Sequence, residues 1–122
     1  MNTKKVLIIE DDKSLREMYE TKLKIKGFNV ITAEDGEDGI KKIKTEKPNL
    51  VLLDMMMPKK NGFDVLGDIQ KDVKIKKTPV IVLSNLGQES DMALAKSLGA
   101  KEYYVKSNLL LNDLVNKVEE YV

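Results

Sequence analysis

Four short apolar runs each end on a group able to do chemistry. Val6 to Ile9 leads into Glu10-Asp11-Asp12, Leu50 to Leu53 into Asp54, Val80 to Leu83 into Ser84, and Tyr103 to Val105 into Lys106. If these runs are strands of one sheet, their ends bring carboxylates, a hydroxyl and an ammonium to a common edge. Two carboxylates about 4 Å apart repel by roughly 4 kcal/mol at an effective dielectric near 20, so Glu10, Asp11 and Asp54 packed together need a compensating cation. Mg²⁺ suits such a set, being a hard ion that takes carboxylate, carbonyl and water oxygens and bridges to phosphate. The chain has no histidine and no cysteine, which disfavours zinc, copper and iron and removes thiol nucleophiles and the commonest general base. With the charge offset, a carboxylate oxygen can attack phosphorus in line and form an aspartyl phosphate. Lys106 would pair with a phosphoryl oxygen, and Ser84 would donate a hydrogen bond that exists only while the phosphoryl group is present.

The elements that position these groups are readable from the same pattern. A chain of 122 residues has room for one packed core, so residues 1–122 are expected to form one domain. The 42% hydrophobic and 34% charged fractions are those of a water-soluble globular chain. A fifth apolar run, Phe28 to Ile31, joins the other four, and all are short and mostly unbroken, as in parallel strands covered on both faces. Between them lie helically spaced stripes: Leu15, Met18, Tyr19 and Leu23; Ile40 and Ile43; Leu66 and Ile69; Leu94, Ala95 and Leu98; Leu111, Leu114, Val115 and Val118. Gly27 and Gly99 can close helices, and Pro48 and Pro79 stand just before strands. The order predicts a doubly wound α/β sheet with helices on both faces, which binds ligands at the carboxyl ends of its strands.

Charge and termini narrow the function further. The formal charge of +1 gives no global case for direct nucleic-acid binding or for an anionic membrane. The lysine-rich stretch from Lys71 to Thr78 reads as a solvated loop. The start, Met1-Asn-Thr-Lys-Lys, offers no leader, and no run reaches the about 20 apolar residues of a membrane span, so a cytoplasmic protein without membrane insertion is expected.

These residues together resemble the receiver domain of two-component response regulators, similar in size and order to the stand-alone chemotaxis type, over nearly the whole chain. The strongest stretch is Asp54-Met-Met-Met-Pro58-Lys-Lys-Asn-Gly62-Phe, which looks like the family's phosphoacceptor loop. The resemblance implies a flavodoxin-like (βα)5 sandwich with a parallel sheet of order 2-1-3-4-5. It implies Asp54 as phosphoacceptor, Lys106 and Ser84 as its catalytic companions, and Tyr103 with Ser84 as the switch. Tyr104 is instead read as a core residue. For the metal it implies Glu10, Asp11, Asp54 and the backbone carbonyl of Met56. Arg16, five residues after Asp11, selects the Glu10 and Asp11 register over Asp11 and Asp12; Asp12 then suits a helix N-cap. A partner histidine kinase or phosphotransfer protein is implied as donor, the face of the fourth helix, fifth strand and fifth helix as output surface, and a monomer or phosphorylation-dependent dimer as assembly.

Three departures stand out. The family's usual cis Lys-Pro is replaced by Lys106-Ser107, and a non-proline cis bond costs about 2.5 to 4 kcal/mol, so this loop is expected to take another path. Asn85 stands where the family prefers a smaller residue, which would narrow access to the acceptor. Met56 and Leu86 occupy the two positions at which the family tunes attack by water, and neither side chain can orient one, so slow self-dephosphorylation is expected. The run Met55 to Met57 otherwise reads as soft packing beside the loop.

Other functions fit less well. The domain is expected to be a switch, not a turnover enzyme. An aspartate-nucleophile phosphohydrolase usually carries a second aspartate two residues after the first, and here that position is Met56. A flavin or nucleotide carrier needs a glycine- or hydroxyl-rich cradle where this chain has three acids. A receiver cut from a larger DNA-binding or enzymatic regulator would look the same as a stand-alone protein.

Overall fold

A computed structural model describes residues 4–122; Met1 to Thr3, the start of the stretch in which no leader is expected, lie outside the described residues. The chain runs β1 (Lys5–Ile9), α1 (Lys13–Ile25), β2 (Asn29–Ala33), α2 (Gly36–Glu46), β3 (Leu50–Leu53), α3 (Gly62–Lys71), β4 (Val80–Ser84), α4 (Glu89–Ser97), β5 (Glu102–Val105), a 3-10 turn (Lys106–Asn108) and α5 (Leu111–Tyr121). All strand pairs are parallel, in the order β2-β1-β3-β4-β5. This is the doubly wound sandwich expected, with the change of direction between β1 and β3.

Strand alternation divides the core into two layers. Leu7, Ile9, Val51, Leu53, Val80 and Val82 point to the side packed by α2, α3 and α4. Val6, Ile8, Leu50, Leu52, Ile81 and Leu83 point to the side packed by α1 and α5. Both sides are apolar because both are covered, which is why the strands read as unbroken runs.

The starts of α1, α2 and α3 are fixed by short polar side chains. Asp12 accepts from the Leu15 N–H at 3.1 Å, Asp35 from the Asp38 N–H at 2.8 Å, and Asn61 forms a capping box with Asp64. Gly27 (φ 96°) and Gly99 (φ 102°) follow helices in the left-handed region, as expected for closing residues. The Asp35 cap holds its carboxyl below the usual range, chiefly through the Asp38 N–H bond. Asp35→Ala should therefore lower unfolding free energy by about 1 kcal/mol. Chemical denaturation at neutral pH checks this, and an unchanged midpoint would contradict it.

Several readings are corrected. β2 begins one residue later than the apolar run and extends to Ala33; Phe28 is buried but donates its N–H to Leu23 in the closing turn of α1. The stretch from Lys71 to Thr78 is not simply solvated, because Ile75 is buried against the core and the chain turns there through Ile75 and Lys76 N–H bonds to Asp72. Met18 and Leu94 lie outside their buried stripes and are nearly half exposed. Among the described residues no helix is long and apolar enough to cross a membrane.

Candidate functional site

The carboxyl ends of β1, β3, β4 and β5 come together at one edge. Glu10 follows β1 and Asp54 follows β3, neighbours in the sheet through the Ile9 and Leu53 pairing; the Asp54 N–H extends the ladder to the Ile9 carbonyl at 3.0 Å. Glu10 is 2% exposed and Asp54 5% exposed, whereas Asp11 is exposed. Carboxylate oxygens of Glu10, Asp11 and Asp54 lie within 4.8 Å of one another. Asp12 is the N-cap of α1, and its N–H donates to Glu10 Oε2 at 3.1 Å. The structure thus brings together Glu10, Asp11 and Asp54, with Asp12 used at the helix start.

Arg16 does more than mark the register. Its Nη1 donates to the carbonyl of Glu10 at 2.9 Å and to that of Asp11 at 3.4 Å, so a guanidinium one helical turn on holds the acidic turn in place. Sequence spacing pointed to Arg16, but not to the fact that it binds backbone.

Lys106 lies in the 3-10 turn after β5, where the chain takes the alternative path expected; no peptide bond among the described residues is cis. Its Nζ is 2.6 Å from Glu10 Oε1 and 3.4 Å from Asp54 Oδ1. Burial works to lower the Lys106 pKa, but the hydrogen bond to Glu10 and the charge of Asp54 outweigh it and hold the ammonium above the usual lysine range. Burial pushes Glu10 up to about 7, against the opposing hydrogen bond from Lys106. Asp54 is raised for the same reason, with Lys106 again opposing. One ammonium therefore reaches two of the three clustered carboxylates, and burial leaves that pair reluctant to ionise. A set of oxygen donors this close, buried and short of positive charge fits a hard divalent ion such as Mg²⁺.

Ser84 and Tyr103 meet at a single residue, Leu86. Ser84, the last residue of β4, is fully buried, and its Oγ accepts from the Leu86 N–H at 3.1 Å. Tyr103 on β5 donates its hydroxyl to the Leu86 carbonyl at 2.6 Å. Leu86 thus joins the hydroxyl to the aromatic residue; nothing in the sequence signals a role carried by its backbone. Tyr104 packs against the core layer of α1 and α5 and is partly buried.

The acceptor loop is pinned from both sides. The Met56 N–H donates to Asp54 Oδ1 at 3.3 Å, and the Gly62 N–H to the Met55 carbonyl at 3.0 Å. Met55 is core, but Met56 is 58% exposed, so the expected soft packing holds for only part of the methionine run. A cavity of about 490 Å³ beside the loop is lined by Asp11, Met56, Pro58, Phe63 and Leu86 among others. Asn85 is exposed and does not line it.

Fold and site define a class: a doubly wound α/β domain whose strand ends present carboxylates and one lysine, suited to handling a phosphoryl group with a hard cation. Comparison with known proteins sharpens this. Residues 6–119 match the family described as "Response regulator receiver domain". The probable transcriptional regulator ycf27 of Cyanophora paradoxa is 42% identical over 106 residues, covering 87% of this chain and 43% of that protein. The receiver domain of the Francisella response regulator 1452 superposes with a TM-score of 0.90 at 28% identity, covering 98% of this chain and 96% of that one. The phosphorylated cyanobacterial phytochrome response regulator RcpA superposes with a TM-score of 0.87 at 31% identity, covering 98% and 93%. The chain belongs to the response regulator receiver domain family, the phosphorylation switches of two-component signalling. Aspartate phosphorylation and Mg²⁺ binding are general features of that family. The chain spans less than half the length of curated relatives that it matches, 43% in the case of ycf27.

Proposed function

We propose that this domain is a stoichiometric phosphoryl acceptor. Asp54 takes the group from a phosphohistidine of a partner histidine kinase or phosphotransfer protein. An Asp54 carboxylate oxygen attacks phosphorus, the bond from phosphorus to the imidazole nitrogen breaks, and its electron pair returns to that nitrogen. The observation that carries this is the meeting of Glu10, Asp11 and Asp54 within 4.8 Å, with Lys106 reaching two of them. Glu10, Asp11, Asp54 and the Met56 carbonyl would hold Mg²⁺, which supplies charge neutralisation for an approaching anion. Lys106 holds a fixed positive charge toward the phosphoryl oxygens. The phosphorylated state of a similar protein, RcpA, has been solved, which supports the reading by likeness.

The switch runs through the backbone on either side of Leu86. Once a phosphoryl oxygen offers Ser84 an acceptor, its Oγ moves off the Leu86 N–H, and the Tyr103 bond to the Leu86 carbonyl is disturbed with it. The signal thereby reaches the face of α4, β5 and α5. Names of longer relatives such as ycf27 favour a transcriptional output carried by the part of those proteins outside the match. The domain acts in the cytoplasm, as a monomer or a phosphorylation-dependent dimer.

Steady-state phosphate release separates this from a phosphohydrolase: one phosphoryl group per chain supports the switch, and many turnovers from a small phosphoester overturn it. Met56 and Leu86 line the cavity beside Asp11 with side chains unable to orient a water. Exchanging Met56→Asn with Leu86→Glu should shorten the phosphoryl lifetime several-fold, measured as decay of the labelled protein. A lifetime unchanged or lengthened would contradict that expectation.

A further inference from the structure

A second polar region lies at the opposite end of the sheet. In a parallel α/β fold the helices run antiparallel to the strands, so helix starts crowd the Asp54 end and helix ends the other. Acids favour helix starts and lysines favour helix ends. Here the first turns of α2 to α5 carry acids and the last turns of α1 to α4 carry lysines. A chain of formal charge +1 is thereby polarised, with a basic face away from Asp54.

Helix ends account for Lys44 and Lys71, in the last turns of α2 and α3. Lys47 caps the end of α2 and Lys74 lies in the turn beyond α3; neither has an ion-pair partner among the described residues. Lys47 also holds a left-handed backbone (φ 48°), a conformation that favours glycine or asparagine. Lys44, Lys47 and Lys74 line a cleft of about 650 Å³ between the end of α2 and the turn from α3 to β4, with Asp72 and the buried Ile75. That volume falls within the roughly 300–1,000 Å³ of small-molecule sites. A second hollow, sharing Lys44 and Asp72, adds Lys71 and Asp68, the latter paired with Lys60.

Among the described residues Asp72 is the only acid lining the cleft. Its Oδ2 is 3.7 Å from Lys44 Nζ, and its Oδ1 accepts the Lys74 N–H at 2.9 Å. One carboxylate among three ammonium groups leaves two positive charges uncompensated in a concave, partly apolar setting. Lysines act as mobile point charges suited to phosphate oxygens. We propose that this cleft binds a compact ligand bearing two or more adjacent phosphates, with Lys47 and Lys74 as its principal anchors. Such a group is offered by a soluble polyphosphate ester or by the headgroup of a lipid diphosphate.

Calorimetric titration with inorganic tripolyphosphate, without magnesium and in an Asp54→Asn background, tests this independently of the phosphoacceptor reading. One site per chain is expected, weakened roughly tenfold or more by the Lys47→Gln, Lys74→Gln pair. The Lys76→Gln, Lys77→Gln pair makes the same change of charge on the adjoining exposed turn and should leave affinity within about twofold. Co-sedimentation with vesicles carrying a polyprenyl diphosphate is the second arm: retention lost in the first pair, without tripolyphosphate binding, assigns the lipid diphosphate headgroup as source and supports the site, whereas retention by phosphatidylglycerol vesicles alone overturns it. The proposal is overturned by binding to neither probe, by equal loss in both pairs, or by binding to duplex DNA alone.

Discussion

Stripped of divalent ions, the domain should lose stability as the pH rises from 4.5 to about 7, the ordinary and the buried values for Glu10. Below that window both folded and unfolded states keep the proton. Within it the unfolded chain releases the proton while the folded chain retains it, so each step upward favours unfolding. Above about 7 the full loss is reached, on the order of a few kcal/mol. Raised Asp54 adds in the same direction, while the Lys106 contribution is intact below 10.5 and is lost as the pH climbs from there through its raised value. Asp35 works oppositely and below this window, its stabilisation being lost as pH falls through its depressed value. Saturating Mg²⁺ should flatten the profile, because a cation beside Glu10, Asp11 and Asp54 removes the cost of ionising them. Denaturation midpoints across pH, with and without the ion, decide it. A flat profile in the metal-free protein, or the same slope with Mg²⁺, would contradict the charge deficit inferred for the site.

Gly62→Ala should damage both stability and phosphorylation. A Cβ at Gly62 would stand 2.6 Å from Met55 Cα and 2.7 Å from the Asp54 carbonyl oxygen, closer than such atoms approach. Those neighbours are backbone and cannot rotate aside, so the loop that carries Asp54 must move. Overpacking of this kind costs about 1–3 kcal/mol. A displacement of about 1 Å in a reacting group can slow chemistry roughly a hundredfold, so labelling should slow far more than destabilisation alone explains. Gly67→Ala is the control within the same helix: nothing lies within 4 Å of its Cβ, and the change should be neutral or stabilising by about 1 kcal/mol. Equal behaviour of the two variants would contradict the close approach.

Much of this was legible in the sequence for one physical reason. Strands covered on both faces must be apolar throughout, so β1, β3 and β4 stand out, and the polar residues that end them mark the functional edge. β2 was misplaced by a residue because Phe28 is apolar through burial in the turn closing α1, while Thr32 and Ala33 carry little hydrophobic signal. Ile75 was hidden among lysines; a single buried residue in a charged turn has no period to reveal it. Leu94 and Met18 fall at helical spacing yet face outward, since spacing gives a stripe but not its edge. The Leu86 bridge and the Arg16 bonds to carbonyls were beyond reach because they involve backbone groups, which every residue has. The path after Lys106 was foreseeable as different, because serine lacks the proline constraint, though not as a 3-10 turn.

Intact-mass measurement after incubation with acetyl phosphate tests the central claim most directly. With Mg²⁺, the wild-type chain should gain the mass of one phosphoryl group; a chelator should suppress the gain, and Asp54→Asn should show none. An adduct that persists in Asp54→Asn, or a wild-type chain that gains nothing with the ion present, would contradict Asp54 as the acceptor.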